Sequence, residues 1–197
     1  MIKSISYNQM EIINNIIELY CPNGIECDPT YSKGNFYKNA DMFFLEPKYK
    51  FDLFPQTKCT TKASAESLPL TKNSIKSLMF DPPFIVGHTK NKPTGIIGER
   101  FHGFRYIKDL WSWYSLCIEE HYRVLDKKGI YIFKCQDTVS SGKQHLSHVH
   151  IINEMQRVGF YVKDLFVLLA KNRIVGHNHS NQKHARKFHS YFLVAIK

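Results

Sequence analysis

The stretch SLMFDPPFIVG, residues 77–87, decides the fold, because it runs from an apolar strand directly into Asp-Pro and then into a loop. The same transition occurs in IECDPTYSKGNFYK, residues 25–38, where Asp28 follows a second apolar run. Each stretch therefore indicates a buried strand that ends at a polar turn. Apolar runs of strand length occur at residues 24–28, 49–53, 75–81, 129–135, 162–170 and 190–197.

Helical patterns alternate with these strands. Residues 8–20 have apolar side chains at helical spacing, and residues 104–125 and 145–160 form two further amphipathic patterns. The alternation predicts an α/β fold with a mostly parallel sheet in three layers, and it places ligand sites at the carboxyl ends of the strands. No helical pattern occurs within residues 171–189, so we expect the last two strands to form an antiparallel pair.

Composition limits the classes of function. The chain has 197 residues and a formal net charge of +10, which favours a polyanionic partner such as nucleic acid. No apolar run is long enough to cross a bilayer, so we expect a cytoplasmic protein without membrane association. Its five cysteines form no CxxC pair, and we predict reduced thiols and no metal site. We expect one domain over residues 1–197, without a separate target-recognition domain.

The two Asp-Pro turns are candidate sites. In the first, Ser32 and Gly34 form a turn whose amides could face a small ligand, although an ordinary strand-to-helix turn explains the same residues. In the second, two prolines leave carbonyl acceptors beside Asp81 and Phe84. That combination suits a planar base with an exocyclic amine, and the alternative is a structural corner.

These motifs, in this order, resemble the S-adenosylmethionine-dependent DNA amino-methyltransferases, in particular the small phage-type adenine enzymes. DPPF is similar to their catalytic tetrapeptide, and DPTYSKG is similar to their cofactor loop. The resemblance extends over most of the chain and implies a Rossmann-like class I methyltransferase sheet with a C-terminal antiparallel strand. It also implies S-adenosylmethionine as the cofactor and DNA as the partner.

The resemblance implies a role for individual residues. It places Asp52 at the cofactor ribose and the segment SAESLPL, residues 64–70, beside the cofactor adenine. Thr30 and Ser32 stand where the family usually has an aromatic residue and a first glycine. The predicted cofactor-binding residues are Asp28, Pro29, Thr30, Ser32, Gly34, Asp52, Ala65 and Glu66, and the predicted catalytic residues are Asp81, Pro82, Pro83 and Phe84.

A basic segment joins the last two strands. Residues 171–189 contain several cations and no acid, so phosphate contacts are one interpretation and a solvated loop is the other. The predicted nucleic-acid-binding residues are Lys171, Arg173, Lys183, His184, Arg186 and Lys187. Residues 85–110 are a second candidate substrate contact, and a second copy of the chain or a partner subunit could add target recognition.

The resemblance therefore implies transfer of a methyl group from S-adenosylmethionine to the 6-amino group of adenine in DNA. Two alternatives stay open, an RNA N-methyltransferase and a non-catalytic nucleic-acid-binding subunit. Two further segments are ambiguous. QDTVSSGKQH, residues 136–145, could contact phosphate or form a turn with a helix cap, and Trp111 and Trp113 fit a core or a wall better than a base-stacking role.

Overall fold

A computed structural model of the chain describes residues 1–37, 46–84, 86, 104–172 and 183–197. Within these residues the chain forms ten strands and three helices. In chain order they are β1 (Ile5–Ser6), α1 (Gln9–Tyr20), β2 (Cys27–Asp28), β3 (Tyr49–Asp52), β4 (Thr61–Lys62), β5 (Ile75–Phe80), α2 (Ile107–Val124), β6 (Leu125–Cys135), β7 (Thr138–Ser140), β8 (Lys143–His145), α3 (Ser147–Val158), β9 (Tyr161–Leu169) and β10 (His189–Ile196).

Eight of the strands form one sheet in the order β1-β9-β10-β6-β5-β2-β3-β4. Strand β10 is antiparallel to both of its neighbours, β6 and β9, and the other pairs in the sheet are parallel. The predicted mostly parallel sheet with a C-terminal antiparallel strand is therefore confirmed. The short strands β1 and β4 are additions at the two edges that the apolar runs did not reveal.

Helices cover both faces of the sheet, which confirms the predicted three layers. On β6, Ile130 and Ile132 pack with α1, whereas Tyr131 and Phe133 pack with α2 and α3 on the opposite face. Because successive strand residues point to opposite faces, a strand covered on both sides must be apolar throughout, and residues 130–133 are all buried. The near-continuous apolar runs of the sequence reflect this double burial.

The helix ends follow from local sequence. Helix α1 begins after Asn8, whose side chain accepts a hydrogen bond from the Met10 amide. Helix α3 ends at Gly159, which has a φ of 114°. A Cβ at Gly159 would lie 3.0 Å from the Tyr122 hydroxyl, so glycine suits both the left-handed conformation and the close approach. No helix of the described residues is long and apolar enough to cross a membrane.

The segment after β6 forms a turn, as one of the two interpretations of QDTVSSGKQH predicted. Strands β7 and β8 pair antiparallel, and Ser141 and Gly142 between them have φ values of 51° and 72°. Asp137 Oδ1 accepts hydrogen bonds from the His148 amide at 3.3 Å and from its Nδ1 at 2.7 Å. The carboxylate thus caps the first turn of α3 from outside the helix.

Candidate active site

The carboxyl ends of β2, β3 and β5 border a cavity of about 280 Å³, which we call the acidic cavity. Most of the residues predicted to bind the cofactor, together with Asp81 and Pro83, line it. The lining residues are Pro29, Thr30, Ser32, Asp52, Leu53, Phe54, Ser64, Ala65, Glu66, Asp81, Pro83, Phe104 and Trp113. A larger cavity, of about 660 Å³, lies elsewhere, beside Gly24, Ser74 and Gly129, and contains none of the predicted site residues.

Asp28 lies behind the wall of the acidic cavity. Its Oδ1 accepts a hydrogen bond from the Thr30 amide at 2.8 Å, and its Oδ2 accepts one from the Tyr37 hydroxyl at 2.9 Å. Burial raises the pKa of this carboxyl to about 7, although these hydrogen bonds oppose the shift. Asp28 is thus placed to hold the loop in shape, and it does not line the cavity as a ligand contact would.

The loop after Asp28 has the backbone of a glycine turn at two positions. Ser32 has a φ of 50° and Gly34 a φ of 66°. A Cβ at Gly34 would overlap the Tyr31 hydroxyl, so only glycine fits there. Ser32 adopts the left-handed conformation at a cost of roughly 1 kcal/mol. Ser32 therefore has a backbone conformation that favours glycine.

Asp52, at the end of β3, uses both carboxylate oxygens within the protein. Oδ2 accepts a hydrogen bond from the Ser32 amide at 2.9 Å, and Oδ1 accepts one from the Phe54 amide at 2.8 Å. Burial raises the pKa of Asp52, and the two amides partly offset that rise. Each carboxylate oxygen has a further lone pair, so the side chain can still accept hydrogen bonds from ligand hydroxyls.

Glu66 also lines the acidic cavity, and two donors fix its side chain. The Ser64 hydroxyl and Trp113 Nε1 donate to its Oε2 at 2.6 and 2.7 Å. Burial raises the pKa of Glu66, but these hydrogen bonds outweigh it and the net pKa is lowered. Trp113 is thus part of the cavity wall, which is one of the two positions that the sequence suggested for it. Helical spacing could not show that its indole also orients a carboxylate.

Asp81 follows β5 and connects several elements. Its amide donates to the Thr30 hydroxyl at 3.0 Å, and Lys134 Nζ lies 3.2 Å from its Oδ2. Its Oδ1 is shielded from solvent and has no hydrogen-bond partner in the described residues. Burial raises the pKa of this carboxyl, and Lys134 opposes the rise. Sequence reasoning missed Lys134, although the parallel pairing of Phe80 with Phe133 sets it beside Asp81.

The remaining residues of the DPPF motif, Pro82, Pro83 and Phe84, differ in their contacts. The Pro83 carbonyl accepts a hydrogen bond from the Tyr114 hydroxyl at 2.7 Å. The Pro82 carbonyl receives no hydrogen bond from the part of the chain that the structure describes. Phe84 lines a second cavity, of about 380 Å³, which we call the Phe84 cavity. Its lining residues are Tyr7, Gln9, Phe84, Lys134, Gln136, Leu168, Leu169, Ala170, His189 and Ser190.

Charges differ between the two cavities. Three carboxylates, on Asp52, Glu66 and Asp81, line the acidic cavity, and no lysine or arginine of the described residues does. The Phe84 cavity is lined by Lys134 and, as far as the chain is described, by no carboxylate. Asp81 and Lys134 therefore form an ion pair whose two members face different cavities. A chain with a net charge of +10 thus concentrates acids at one site.

Four of the predicted nucleic-acid-binding residues lie near the Phe84 cavity. His184, Arg186 and Lys187 line a third cavity, of about 350 Å³, which shares Gln136 with the Phe84 cavity. Lys171 Nζ lies 5.8 Å from the ring centre of Tyr7, another Phe84-cavity residue. Lys183 is exposed.

Two predicted regions are only partly described. Arg173 lies outside the described residues, as does most of the candidate substrate loop 85–110 up to residue 103. Val86 is described and forms an isolated parallel bridge with Phe104, which lines the acidic cavity. No group of three or more His, Cys, Asp or Glu residues that could hold a metal occurs within the described ranges.

Comparison with known proteins rests on structure alone. No protein-family model matches the sequence, and no curated protein matches it significantly. The [4+2]-cyclase SpnF aligns with a TM-score of 0.58 at 12% identity, over 95% of this chain and 81% of that one. A SAM-dependent methyltransferase from Thermotoga maritima aligns with a TM-score of 0.50 at 15% identity, over 91% and 84%.

The chain has the Rossmann-like methyltransferase fold. A protein from Thermus thermophilus, named as a putative DNA modification methylase and crystallised with S-adenosyl-L-methionine, aligns at 18% identity with a TM-score of 0.43. That alignment covers 66% of this chain and 50% of the other, so this chain spans about half the length of that methylase. SpnF is named as a cyclase, so this fold does not by itself fix the reaction.

Proposed function

We propose that the protein transfers a methyl group from S-adenosylmethionine to the 6-amino group of adenine in DNA. The observation that carries the proposal is the position of Asp81. It lines the acidic cavity, and its ion-pair partner Lys134 lines the Phe84 cavity. A residue at such a boundary can contact an acceptor while a cofactor occupies the neighbouring cavity. The adenine and DNA parts of the proposal rest on the resemblance of DPPF to the family motif.

The acidic cavity fits the cofactor chemically. S-adenosylmethionine has a sulfonium and an ammonium group, and three carboxylates surround this cavity without a competing cation in the described residues. Asp52 would accept the ribose hydroxyls, the turn at Thr30 and Ser32 would face the methionine portion, and the aromatic walls would contact the adenine. When bound, the cofactor supplies an electrophilic methyl group, whose bond to sulfur breaks with the electron pair left on sulfur.

Asp81 and Pro82 would prepare the acceptor amine. The lone pair of an adenine amine is delocalised into the ring, so hydrogen bonds must localise it before it can attack a methyl group. The Asp81 carboxylate would accept one amine hydrogen and the Pro82 carbonyl, which has no donor in the described residues, would accept the other. After transfer the nitrogen loses one proton, for which the Asp81 carboxylate is an acceptor. Phe84 provides an aromatic wall for the base.

The basic residues beyond the Phe84 cavity would hold the polymer. An adenine in a duplex is stacked, so it must be flipped out at a cost of a few kcal/mol or be presented in a single strand. Phosphate contacts by Lys171, Lys183, Arg186 and Lys187 would offset that cost without selecting a sequence. Selection would then come from the loops at 85–110 and 171–189, or from a second copy or partner subunit.

The test is methyl transfer to separate polymers. The protein is incubated with tritiated S-adenosylmethionine and either unmethylated genomic DNA or total RNA, and the label in each polymer is counted. We expect label in DNA and at least about 10²-fold less with Asp81→Ala, because positioned acceptors contribute on that scale. Label in RNA alone would replace the DNA assignment. Undiminished transfer by the Asp81→Ala variant would refute the role of Asp81.

A second candidate is a non-catalytic nucleic-acid-binding subunit. The observation in its favour is that Asp52 already receives two backbone hydrogen bonds and that a serine, with a φ of 50°, occupies a left-handed turn position that favours glycine. Both features would weaken cofactor binding. Calorimetric titration with S-adenosylmethionine separates the candidates, because a non-catalytic subunit of this kind would give no binding heat while still retaining DNA.

A further inference from the structure

Lys134 is a lysine in an unusual setting. It is the penultimate residue of β6, with only 14% of its side chain exposed, and its Nζ lies 3.2 Å from Asp81 Oδ2. The ammonium also lies 4.9 Å from the ring centre of Phe36 and 5.8 Å from that of Phe192. Two aromatic faces and one carboxylate therefore surround a cation that has lost most of its water.

The surroundings specify one polar partner for that cation. A lysine that loses hydration is destabilising unless an anion compensates it, and Asp81 is the sole acid within ion-pair distance in the described residues. The aromatic rings add cation–π attraction but accept no strong hydrogen bond. The ammonium group is thus directed at Oδ2, which restricts rotation of the Asp81 carboxyl about its side-chain bonds.

Other titratable groups face Asp81 from three elements. The charge of Asp81 raises the pKa of Asp28, which lies at the end of β2. Cys135 of β6 and Tyr114 of α2 face it as well, and burial raises the pKa of both. Burial raises the pKa of Asp81 itself, and Lys134 is the one cation in the described part of the chain that opposes this rise. The charge of Asp81 therefore depends on this lysine.

We propose that Lys134 is the positioning residue for Asp81. Lys134 keeps the Asp81 carboxylate ionised and fixes its orientation between the two cavities. The ion pair occupies one lone pair of Oδ2 and leaves the other lone pairs of the carboxylate for an acceptor amine. The catalytic consequence rests on the proposed function. The effect on the charge of Asp81 does not, so the two can fail separately.

The first test measures the Asp81 carboxyl directly. Protein labelled with ¹³C at the aspartate carboxyl carbons is titrated by NMR, with Asp81→Asn identifying the resonance. In Lys134→Met, which keeps an apolar stem between the two rings, we expect the Asp81 pKa to rise by at least about one unit. The control is Lys163→Met, an exposed lysine of β9 that lies against Tyr20. An Asp81 titration that is the same in wild type and Lys134→Met overturns the proposal.

The second test uses catalysis. Lys134→Met should lower kcat at pH 7 by about 10²-fold while the affinity for S-adenosylmethionine changes little. Activity should fall at a higher pH in this variant than in wild type as the solution is made more acidic. The reason is that a protonated Asp81 no longer accepts a hydrogen bond from the acceptor amine. Lys134→Arg should restore the pH profile partly, which a merely structural role would not require. A proportionate fall in kcat at every pH contradicts the proposal.

Variants that do not fold leave the proposal testable. If the circular dichroism spectrum shows that Lys134→Met does not fold, the same titration is made with two other variants. Lys134→Gln should raise the Asp81 pKa, and Lys134→Arg should leave it near the wild-type value. If the wild-type protein transfers no methyl group, the proposed function fails. The NMR titration then still decides whether Lys134 controls Asp81.

Discussion

The acidic cavity and the basic segment differ in how the chain builds them. In the acidic cavity, backbone amides orient Asp52, a hydroxyl and an indole orient Glu66, and Lys134 binds Asp81. The basic segment, residues 171–189, joins β9 and β10, and its cations at residues 183–187 lie on an irregular stretch of backbone. A small cationic ligand needs such fixed acceptors, whereas a polyanion with repeated phosphates needs cations but little geometry. The proposed function requires both kinds of surface, one for the cofactor and one for the nucleic acid.

The two regions meet at Asp81 and Lys134. Asp81 belongs to the acidic cavity, and Lys134 belongs to the cavity that leads to the basic segment. A change at this ion pair should therefore affect the reaction more than the binding of either partner. Changes farther into either region should instead affect one binding event and leave the other unchanged.

The largest effect is expected at the boundary. Asp81→Ala should reduce methyl transfer by about 10²-fold to 10³-fold, because it removes a fixed acceptor next to the reacting amine. Affinity for DNA should change little, as measured by fluorescence anisotropy. Glu18→Ala, an exposed acid on α1, is the matched control for loss of one charge. Equal loss of DNA affinity and of transfer would show that Asp81 acts in binding.

A smaller effect is expected inside the acidic cavity. Asp52→Asn should weaken S-adenosylmethionine binding by about 10-fold to 100-fold, since hydrogen bonds to a charged group contribute about 1.5–3 kcal/mol. The measurement is calorimetric titration, with DNA affinity as the internal control. If the cofactor affinity does not change, Asp52 serves the Ser32 turn alone.

The basic segment should respond in the opposite way. Replacing Lys183, Arg186 and Lys187 with glutamine should reduce DNA affinity about tenfold and reduce the magnitude of the salt slope by about 2.7, because each phosphate contact contributes about 0.9. Cofactor affinity should stay the same. The matched control replaces Lys72, Lys76 and Lys127, which are exposed at the other end of the sheet. If both triple variants lose the same DNA affinity, net charge alone explains the binding and the basic segment has no special role.

The smallest effect is expected at the turn that contains Ser32, where a substitution should change stability. Ser32→Gly should raise the free energy of unfolding by up to about 1 kcal/mol, because the φ of 50° disfavours any residue with a Cβ. Urea denaturation measures the change. If the variant is instead destabilised and binds the cofactor more weakly, the serine hydroxyl has a role of its own.

The fold could be predicted from sequence because burial on both faces makes each central strand a continuous apolar run. Residues 129–135 and 190–197 are examples, and the alternation of such runs with helices indicates a mostly parallel sheet. The two-residue strands β1 and β4 could not be predicted, since their pairing depends on edges that only the folded sheet provides. The hairpin of β7 and β8 was visible only as turn residues.

The candidate site could be predicted in part. Asp52, Glu66 and Asp81 each follow a recognisable segment, and the structure brings all three to one cavity. Lys134 could not be singled out, because its relation to Asp81 depends on strand register. The placement of Asp28 behind the cavity wall was missed for a similar reason, since its partner Tyr37 lies nine residues farther along the chain and returns through the turn.

The most direct measurement of the central claim is the position of the transferred methyl group. The protein and its Asp81→Ala variant are incubated with DNA and S-adenosylmethionine that has a trideuterated methyl group, and the digested nucleosides are analysed by mass spectrometry. The account predicts a trideuterated methyl on the 6-amino nitrogen of adenine with the wild type and at least about 10²-fold less of it with the variant. A methyl group on a ring carbon, or equal labelling by both proteins, would contradict it.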